Sequence, residues 1–263
     1  MKRTLIGIAA TLFTTGAFAA DFPMQYTKAP LYAPPIFNWN GFYVGGNIGY
    51  SWGRSSETSV LTNSAGTVLF TEAETSSLNG IVGGAQVGYN WQIRNFVWGI
   101  EADIQGADEK GGPAFVCPAG VCVPAGSLAV VPVTMNQKID WFGTVRGRAG
   151  VAVTPAVLLY ATGGFAYGEV DTREVIAPVA FSKTTINAGW TAGAGIEGAI
   201  GGGWTARLEY LYVDLGKVNG SFVTPIPAFG TGVIVSNLNS HVTDNLVRAG
   251  INYKFNGPVV ARY

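Results

Sequence analysis

Eight segments of the chain alternate between apolar residues and polar or very small residues, and this period of two constrains the fold most strongly. The final segment, RAGINYKF from Arg248 to Phe255, shows the pattern most strictly. Successive side chains of a strand point to opposite faces, so each segment predicts a strand with one apolar face. The segments span about residues 41–52, 78–92, 96–106, 139–151, 157–168, 186–197, 204–212 and 242–255.

Nine charged residues fall on the face that also carries the glycines of these segments. An arginine or lysine that faces lipid near the middle of a bilayer costs about 2–4 kcal/mol. The charged face is therefore expected to line the lumen of a barrel, and the apolar face is expected to contact lipid. The predicted lumen charges are Glu101, Asp103, Arg146, Arg148, Glu197, Arg207, Glu209, Arg248 and Lys254.

The composition excludes most alternatives to a membrane barrel. Charged residues make up only 12% of the chain, whereas soluble domains carry about 25%. No run of 18 apolar residues follows the N-terminal leader, and lipid cannot satisfy the open edges of a sheet. The sequence therefore predicts an all-β fold, an eight-stranded antiparallel up-and-down transmembrane β-barrel. The few charges are nearly balanced, so no basic surface predicts a nucleic-acid partner.

The connections between the eight segments alternate in length. Long connections near residues 53–77, 107–136, 169–183 and 216–240 follow the odd-numbered segments, and short turns follow the even-numbered ones. Outer-membrane barrels combine short periplasmic turns with long extracellular loops. We therefore expect both ends of the chain in the periplasm and four loops outside the cell, with outer-membrane lipid around the barrel.

The residues before and after the alternating segments predict three further regions. Residues 1–19 have basic residues, an apolar run and the small-x-small sequence Ala17-Phe18-Ala19, which is typical of a cleaved signal peptide. Residues 20–40 are rich in proline and predict an extended periplasmic lead-in. The barrel is expected over residues 41–255, and a tail over residues 256–263.

Three interpretations of the lumen charges follow from the residues. An eight-stranded barrel has an interior that side chains roughly fill, so a hydrogen-bonded plug of paired charges is the first. A narrow or gated path for small solutes is the second. A pair of carboxylates that hydrolyses a substrate is the third.

The only histidine, His241, lies near Ser240 and Asp244 and superficially suggests a hydrolytic set. The period of two places His241 on the face opposite the other two, so we predict no catalytic residues and no enzyme. An alternative interpretation is haem capture from an exposed loop, with His241 and a methionine such as Met135 as iron ligands.

The two cysteines, Cys117 and Cys122, close the short segment CPAGVC. An even, close pair in an exported protein predicts a disulfide. A zinc site would need more Cys or His ligands than the chain offers, so no metal or cofactor is predicted.

Several motifs together resemble a known family. The lead-in APLYAPP, the entry FNWNGFYVGGNIGY, the segments WFGTVRGRAGV and LLYATGGFAYG and the ending VRAGINYKFNGPVVARY are similar to small alphaproteobacterial outer-membrane proteins of the porin and outer-membrane immunogenic protein type. The resemblance implies an OmpA-like eight-stranded barrel that supports the envelope and displays surface antigens. Some relatives are credited with pore activity or haemin binding, so haem or host ligands are possible partners that the resemblance implies.

The C-terminal segment resembles the signal that the β-barrel assembly machinery recognises, through Arg248, Gly250, Tyr253 and Phe255. Such signals usually end the chain, whereas here Asn256-Gly257-Pro258 and VVARY follow. Two interpretations stay open: the tail lies in the periplasm beyond the signal, or the machinery reads the terminal Tyr263.

Overall fold

A computed structural model describes residues 37–63, 65–112, 114–117, 131–176, 179–225 and 233–255. These residues form nine strands and no helix. No helix in this part of the chain is long and apolar enough to cross a lipid bilayer. The strands are β1 (Gly41–Thr62), β2 (Val68–Ile93), β3 (Phe96–Gly111), β4 (Ala114–Cys117), β5 (Val131–Thr154), β6 (Val157–Ile176), β7 (Val179–Gly201), β8 (Trp204–Pro225) and β9 (Val233–Lys254).

The strands close into a ring of antiparallel neighbours. The first and last strands pair from Tyr43↔Lys254 onward, and β3 pairs with β5. The short β4 pairs only with the far part of β5, where Ala114 lies opposite Thr134. Eight long strands therefore complete the ring in the described part of the chain, which confirms the predicted fold class.

The two faces of the wall follow the alternation of the sequence. Side chains such as Ile48, Ile81 and Ile186 are largely exposed on the outside, whereas charged side chains such as Arg146 are buried inside. The least distinct segment, β6, places Leu159 and Phe165 outside, as predicted. The apolar outer face is what lipid requires.

The long connections expected as loops are largely strands instead. β1 continues to Thr62 and β2 begins at Val68, and the two strands stay paired almost to their tip. The sequence RSSETSV over residues 54–60 did not predict this extension of the strand, because its outer positions carry mainly polar residues rather than apolar ones. A strand that faces water on its outer side loses the contrast on which the prediction rested. A bilayer needs only about 9–11 residues per strand, so the wall extends well beyond it.

The extended part of the wall divides into two facing layers. We call the end with the short turns the proximal end and the end with the long hairpins the distal end. Towards the distal end, the β7–β8 ladder stops at Trp190↔Asp214 and the β2–β3 ladder stops at Asn79↔Lys110. One layer then holds β4 to β7 and the other holds β8, β9, β1 and β2. Gln137 Nε2 donates to Ser240 Oγ at 3.2 Å across the interior and joins the layers.

Two inward tyrosines lie over glycines of the neighbouring strand. Tyr43 is the register partner of Gly88, and Tyr160 is the partner of Gly195. A Cβ atom at Gly88 would lie 2.4 Å from the Tyr43 hydroxyl oxygen, and one at Gly195 would lie 2.6 Å from the Tyr160 ring. These glycines therefore leave the space through which each ring reaches the centre of the barrel.

Candidate functional site

The proximal half of the lumen contains a compact cluster of eight charged side chains, which we call the charge network. It has four carboxylates and four guanidinium groups, so its formal charges cancel. All eight side chains are buried. The members are Glu101, Asp103, Arg146, Arg148, Glu197, Arg207, Glu209 and Arg248.

Arg146 lies at the centre of the charge network. Its Nη2 contacts Glu101 Oε1 and lies 2.8 Å from Asp103 Oδ2, and its Nη1 lies 3.1 Å from Glu209 Oε1. Its Nε donates to Thr144 Oγ1 at 2.9 Å. One guanidinium group therefore joins carboxylates from two strands, β3 and β8, to its own strand β5.

Arg248 and Arg207 connect the same carboxylates from the other side. Arg248 Nη2 lies 3.0 Å from Asp103 Oδ2, and its Nε donates to Glu209 Oε2 at 2.7 Å. Arg207 Nη1 lies 2.5 Å from Glu101 Oε2. Charged groups that leave water need such pairing, because an isolated buried charge costs several kcal/mol.

Arg148 and Glu197 form the proximal part of the network, with Arg148 Nη2 2.7 Å from Glu197 Oε2. The guanidinium carbon of Arg148 lies 4.0 Å from the centre of the Tyr160 ring. The Tyr43 hydroxyl donates to Glu101 Oε2 at 2.6 Å and accepts from Arg148 Nη1 at 3.1 Å. The buried guanidinium group of Arg148 is therefore stabilised by an ion pair, a cation–π contact and a tyrosine hydroxyl.

The alternation places the neutral members of this site on the inner face, but it did not predict their contacts with the charged residues. Tyr43 and Tyr160 reach the carboxylates, and Thr144, Thr205 and Asn252 donate to them. All five occupy inward positions of the alternation, which was the available signal. The argument from charge rests on the free energy that a charged side chain costs when it faces lipid. It does not apply to neutral polar residues, so it did not identify these five.

Lys254 lies apart from the charge network to which it was assigned. Its Nζ donates to the backbone carbonyls of Asn38 and Asn40, the latter at 3.0 Å, and lies 5.3 Å from the centre of the Phe37 ring. It is the last residue of β9, so its long side chain reaches the chain that enters β1. Lys254 therefore binds the end of the lead-in at the proximal opening.

Trp39 closes the proximal opening of the lumen. Its side chain is 1% exposed and packs against Val97, Leu158 and Tyr160. Its backbone N–H donates to Gln92 Oε1 at 2.7 Å. The described end of the lead-in, residues 37–40, therefore covers the proximal opening, whereas residues 20–36 lie outside the described residues and their periplasmic location stays a prediction.

A layer of apolar side chains lies directly on the distal side of the charge network. Leu211 and Leu246 are the next inward residues after Glu209 and Arg248, and both are fully buried. Phe142 follows Thr144 in the same way. With Val82 and Ala166, these residues belong to one continuous cluster. Apolar packing therefore fills the lumen next to the ion pairs.

Comparisons with known proteins agree with this architecture. The family model described as "Outer membrane protein beta-barrel domain" matches residues 9–255. The chain belongs to this family. In this outer-membrane barrel, the apolar outer face contacts the lipid.

Two relatives support the assignment, and a solved structure shares the fold. The 31 kDa outer-membrane immunogenic protein of Brucella melitensis biotype 1 is 36% identical over 261 residues, which cover 97% of this chain and 100% of the relative. The 22 kDa outer membrane protein of Rhizobium leguminosarum bv. viciae is 33% identical over 81% of this chain and 86% of its own. The crystal structure of OprG from Pseudomonas aeruginosa aligns with a TM-score of 0.54 at 14% identity, covering 84% of this chain and 99% of OprG.

The residues considered for catalysis and haem capture do not converge in this barrel. Ser240 and Asp244 are buried on the inner face, whereas His241 is on the outer face with its Nε2 2.9 Å from Asp214 Oδ1. Met135 is 2% exposed and packs inside against Leu238. A single iron therefore cannot have both His241 and Met135 as ligands in this arrangement.

Three further predictions concern residues at the margins of the described chain. Tyr253 and Phe255 lie near the proximal end, where their rings contact each other at 5.2 Å between centres. Their recognition by the assembly machinery remains a prediction. Cys117 ends β4, but Cys122 lies outside the described residues, as do the signal peptide and Tyr263, so the disulfide also remains a prediction.

Carboxylates without an ion-pair partner in the described part of the chain line the distal interior. Burial raises the pKa of Glu57 from its usual 4.5 to about 7, and the carboxylate of Glu74 raises it further against a hydrogen bond from Ser55. Burial also raises the pKa of Glu174. Both residues lie in the distal wall, well beyond the about 9–11 strand residues from the proximal end that a bilayer needs.

The raised pKa of Glu57 predicts that the distal layers are more stable in acid. Below about pH 4.5 the side chain is protonated in folded and unfolded states, so its contribution is complete. As the pH rises towards 7, the unfolded chain loses the proton first, and the free energy of local unfolding falls by on the order of 3 kcal/mol. Hydrogen exchange of the β1–β2 hairpin at pH 5 and pH 8, corrected for intrinsic rates, should show this loss. Glu57→Gln should reduce the difference, and an unchanged difference would contradict the assignment to Glu57.

Proposed function

We propose that this protein is a closed structural barrel of the outer membrane, which supports the envelope and displays its distal hairpins as surface antigens. The observation that carries the proposal is the filled lumen. Trp39, the charge network and the apolar layer follow one another along the axis, and each consists of buried side chains. A plug of this kind favours the structural interpretation over a solute path or a hydrolytic site.

The orientation of the barrel is part of the proposal. Short turns join the strands at the proximal end, and outer-membrane barrels have such turns in the periplasm. The distal hairpins then project from the cell surface. The relatives in Brucella are named as immunogenic proteins, and antibodies reach the exposed end of a barrel.

The proposal predicts that the purified protein gives no discrete conductance steps in a planar lipid bilayer. An ion would have to cross both the apolar layer and the paired charges, each of which excludes a hydrated ion. The measurement compares the wild-type protein with Arg207→Met, which removes one charge from the buried network on the barrel axis. Steps whose ion selectivity changes in Arg207→Met would overturn the closed barrel and favour a narrow pore.

A further inference from the structure

Two buried carboxylates lie near each other on the inner face, directly on the distal side of the apolar layer. Asp244 is the next inward residue after Leu246, and Glu109 is the next after Ala107, which packs against the same layer. Glu109 is 0% exposed and Asp244 is 3% exposed. The carboxylate of Asp244 is close enough to repel that of Glu109. The apolar layer therefore separates this carboxylate pair from the guanidinium groups of the charge network.

Two glycines leave space on the inner face between the carboxylates. Gly53 is the register partner of Asp244, and a Cβ atom at Gly53 would lie 3.0 Å from Asp244 Oδ1. A Cβ atom at Gly80 would lie 2.8 Å from the Cα atom of Glu109. Gly80 is also the register partner of Ser51. The hydroxyl of Ser51 therefore lies beside both carboxylates.

The oxygen atoms of this site lack partners in the described part of the chain. Ser51 is fully buried, and its Oγ makes no hydrogen bond of normal geometry. The same holds for both carboxylate oxygens of Glu109 and for Asp244 Oδ1. The nearest inward cation on β9, Arg248, is already paired with carboxylates of the charge network. Buried carboxylates without donors or counter-ions cost several kcal/mol, which a cation would offset.

We propose that Glu109, Asp244 and Ser51 bind a hard divalent cation of the calcium type inside the barrel. Carboxylate, hydroxyl and water oxygens are the ligands that such cations prefer, and Ca²⁺ accepts bidentate carboxylates in a flexible geometry. The described residues contain no group of three acidic, histidine or cysteine side chains that could hold a metal, so water completes the coordination shell. The bound ion joins β3 to β9 across the two strands between them.

The position of the site gives the ion a structural effect. The β2–β3 ladder ends at Asn79↔Lys110, immediately beside Glu109. The wall divides into its two distal layers from this point. An ion at Glu109 and Asp244 therefore holds β3 to the opposite layer, where the backbone ladder no longer does so.

Calcium titration of the wild-type protein tests the site without any variant. The chain is refolded into an uncharged detergent, so that no lipid phosphate binds the ion, and is freed of metal with EDTA and dialysed at pH 8. Isothermal titration calorimetry should then show one Ca²⁺ per chain. Ca²⁺ should also slow amide exchange in residues 79–82 and 107–110. If the wild-type protein shows no saturable binding, the carboxylates hold a proton instead, and the proposal is wrong.

Three variants test the ligands. Glu109→Gln and Asp244→Asn keep the volume of the side chain and remove one negative charge each. We expect Ca²⁺ to bind at least about tenfold more weakly to either variant, because affinity depends on the number of charged ligands. The matched control is Glu57→Gln, which removes another buried carboxylate of the distal interior and should bind Ca²⁺ as the wild-type protein does. Gel mobility of unheated samples shows that each variant is folded.

The variants can also overturn the assignment. Equal weakening in Glu57→Gln would mean that the ion responds to the charge of the whole distal interior. Unchanged affinity in Glu109→Gln or Asp244→Asn would place the ion elsewhere. Without Ca²⁺, Glu109→Gln should be at least as stable to urea as the wild-type protein, because the repulsion between the carboxylates is gone. Lower stability in EDTA would show that the pair supports the fold without an ion, against the proposal.

Discussion

Arg146→Met is expected to lower the free energy of unfolding of the barrel by about 3–5 kcal/mol, because it removes one partner from a buried ionic cluster. Arg146 contacts Glu101, Asp103 and Glu209. Without it, four buried carboxylates face three guanidinium groups, and water cannot reach the extra negative charge. Urea unfolding of the protein in lipid vesicles, followed by tryptophan fluorescence and by gel mobility of unheated samples, measures the loss.

Two variants show whether the loss comes from the buried charge. Arg54→Met removes an exposed arginine of the same strand-rich wall, and we expect a change within about 0.5 kcal/mol. Adding Asp103→Asn to Arg146→Met restores three charges of each sign and should recover part of the stability. If the double variant is no more stable than Arg146→Met, packing rather than charge balance determines the effect.

The charge network shows how far sequence can predict a lumen. An arginine that faces lipid costs free energy. The alternation and the charges together therefore predicted eight residues of the network on the inner face. Their pairing could not be predicted, because it depends on the stagger of strands that are distant in sequence. Arg146 and Glu209 are 63 positions apart and meet across the interior. Lys254 obeyed the same alternation, but its position at the end of β9 placed it beside the lead-in.

Trp39→Ala is expected to cost about 3–5 kcal/mol of unfolding free energy, as is usual for a large aromatic side chain removed from a core. The indole fills the proximal opening against Val97 and Leu158. We expect no conductance to appear, because the apolar layer around Leu211 and Leu246 stays in place. Urea unfolding in vesicles and single-channel recording of the same preparation measure both properties.

Phe37→Ala is the matched control, because Phe37 belongs to the same short segment but is only partly buried. Its loss should be clearly smaller than that of Trp39→Ala. Equal losses would mean that the segment stabilises the barrel through its backbone, with Lys254 as the contact. Conductance steps in Trp39→Ala would mean that Trp39 alone seals the lumen, against the role assigned to the apolar layer.

The burial of Trp39 and Leu211 inside the barrel was not predicted, and the reasons differ. Trp39 lies in a proline-rich segment without alternation, so its sequence offers no signal for a barrel interior. Leu211 and Leu246 occupy inward positions, but an apolar residue is equally suited to lipid and to a core. The length of the strands was not predicted for a related reason. The distal wall has water on its outer side, so its outer positions do not need to be apolar.

The tyrosines that lie over glycines have a consequence for the substitutions that the barrel accepts. Tyr43 with Gly88, and Tyr160 with Gly195, each share one volume between two strands. Any larger residue at the glycine displaces the ring, and the displaced ring loses its bond to Glu101 or Glu209. A larger residue at either glycine is therefore compatible with the fold only when a smaller residue replaces the tyrosine above it.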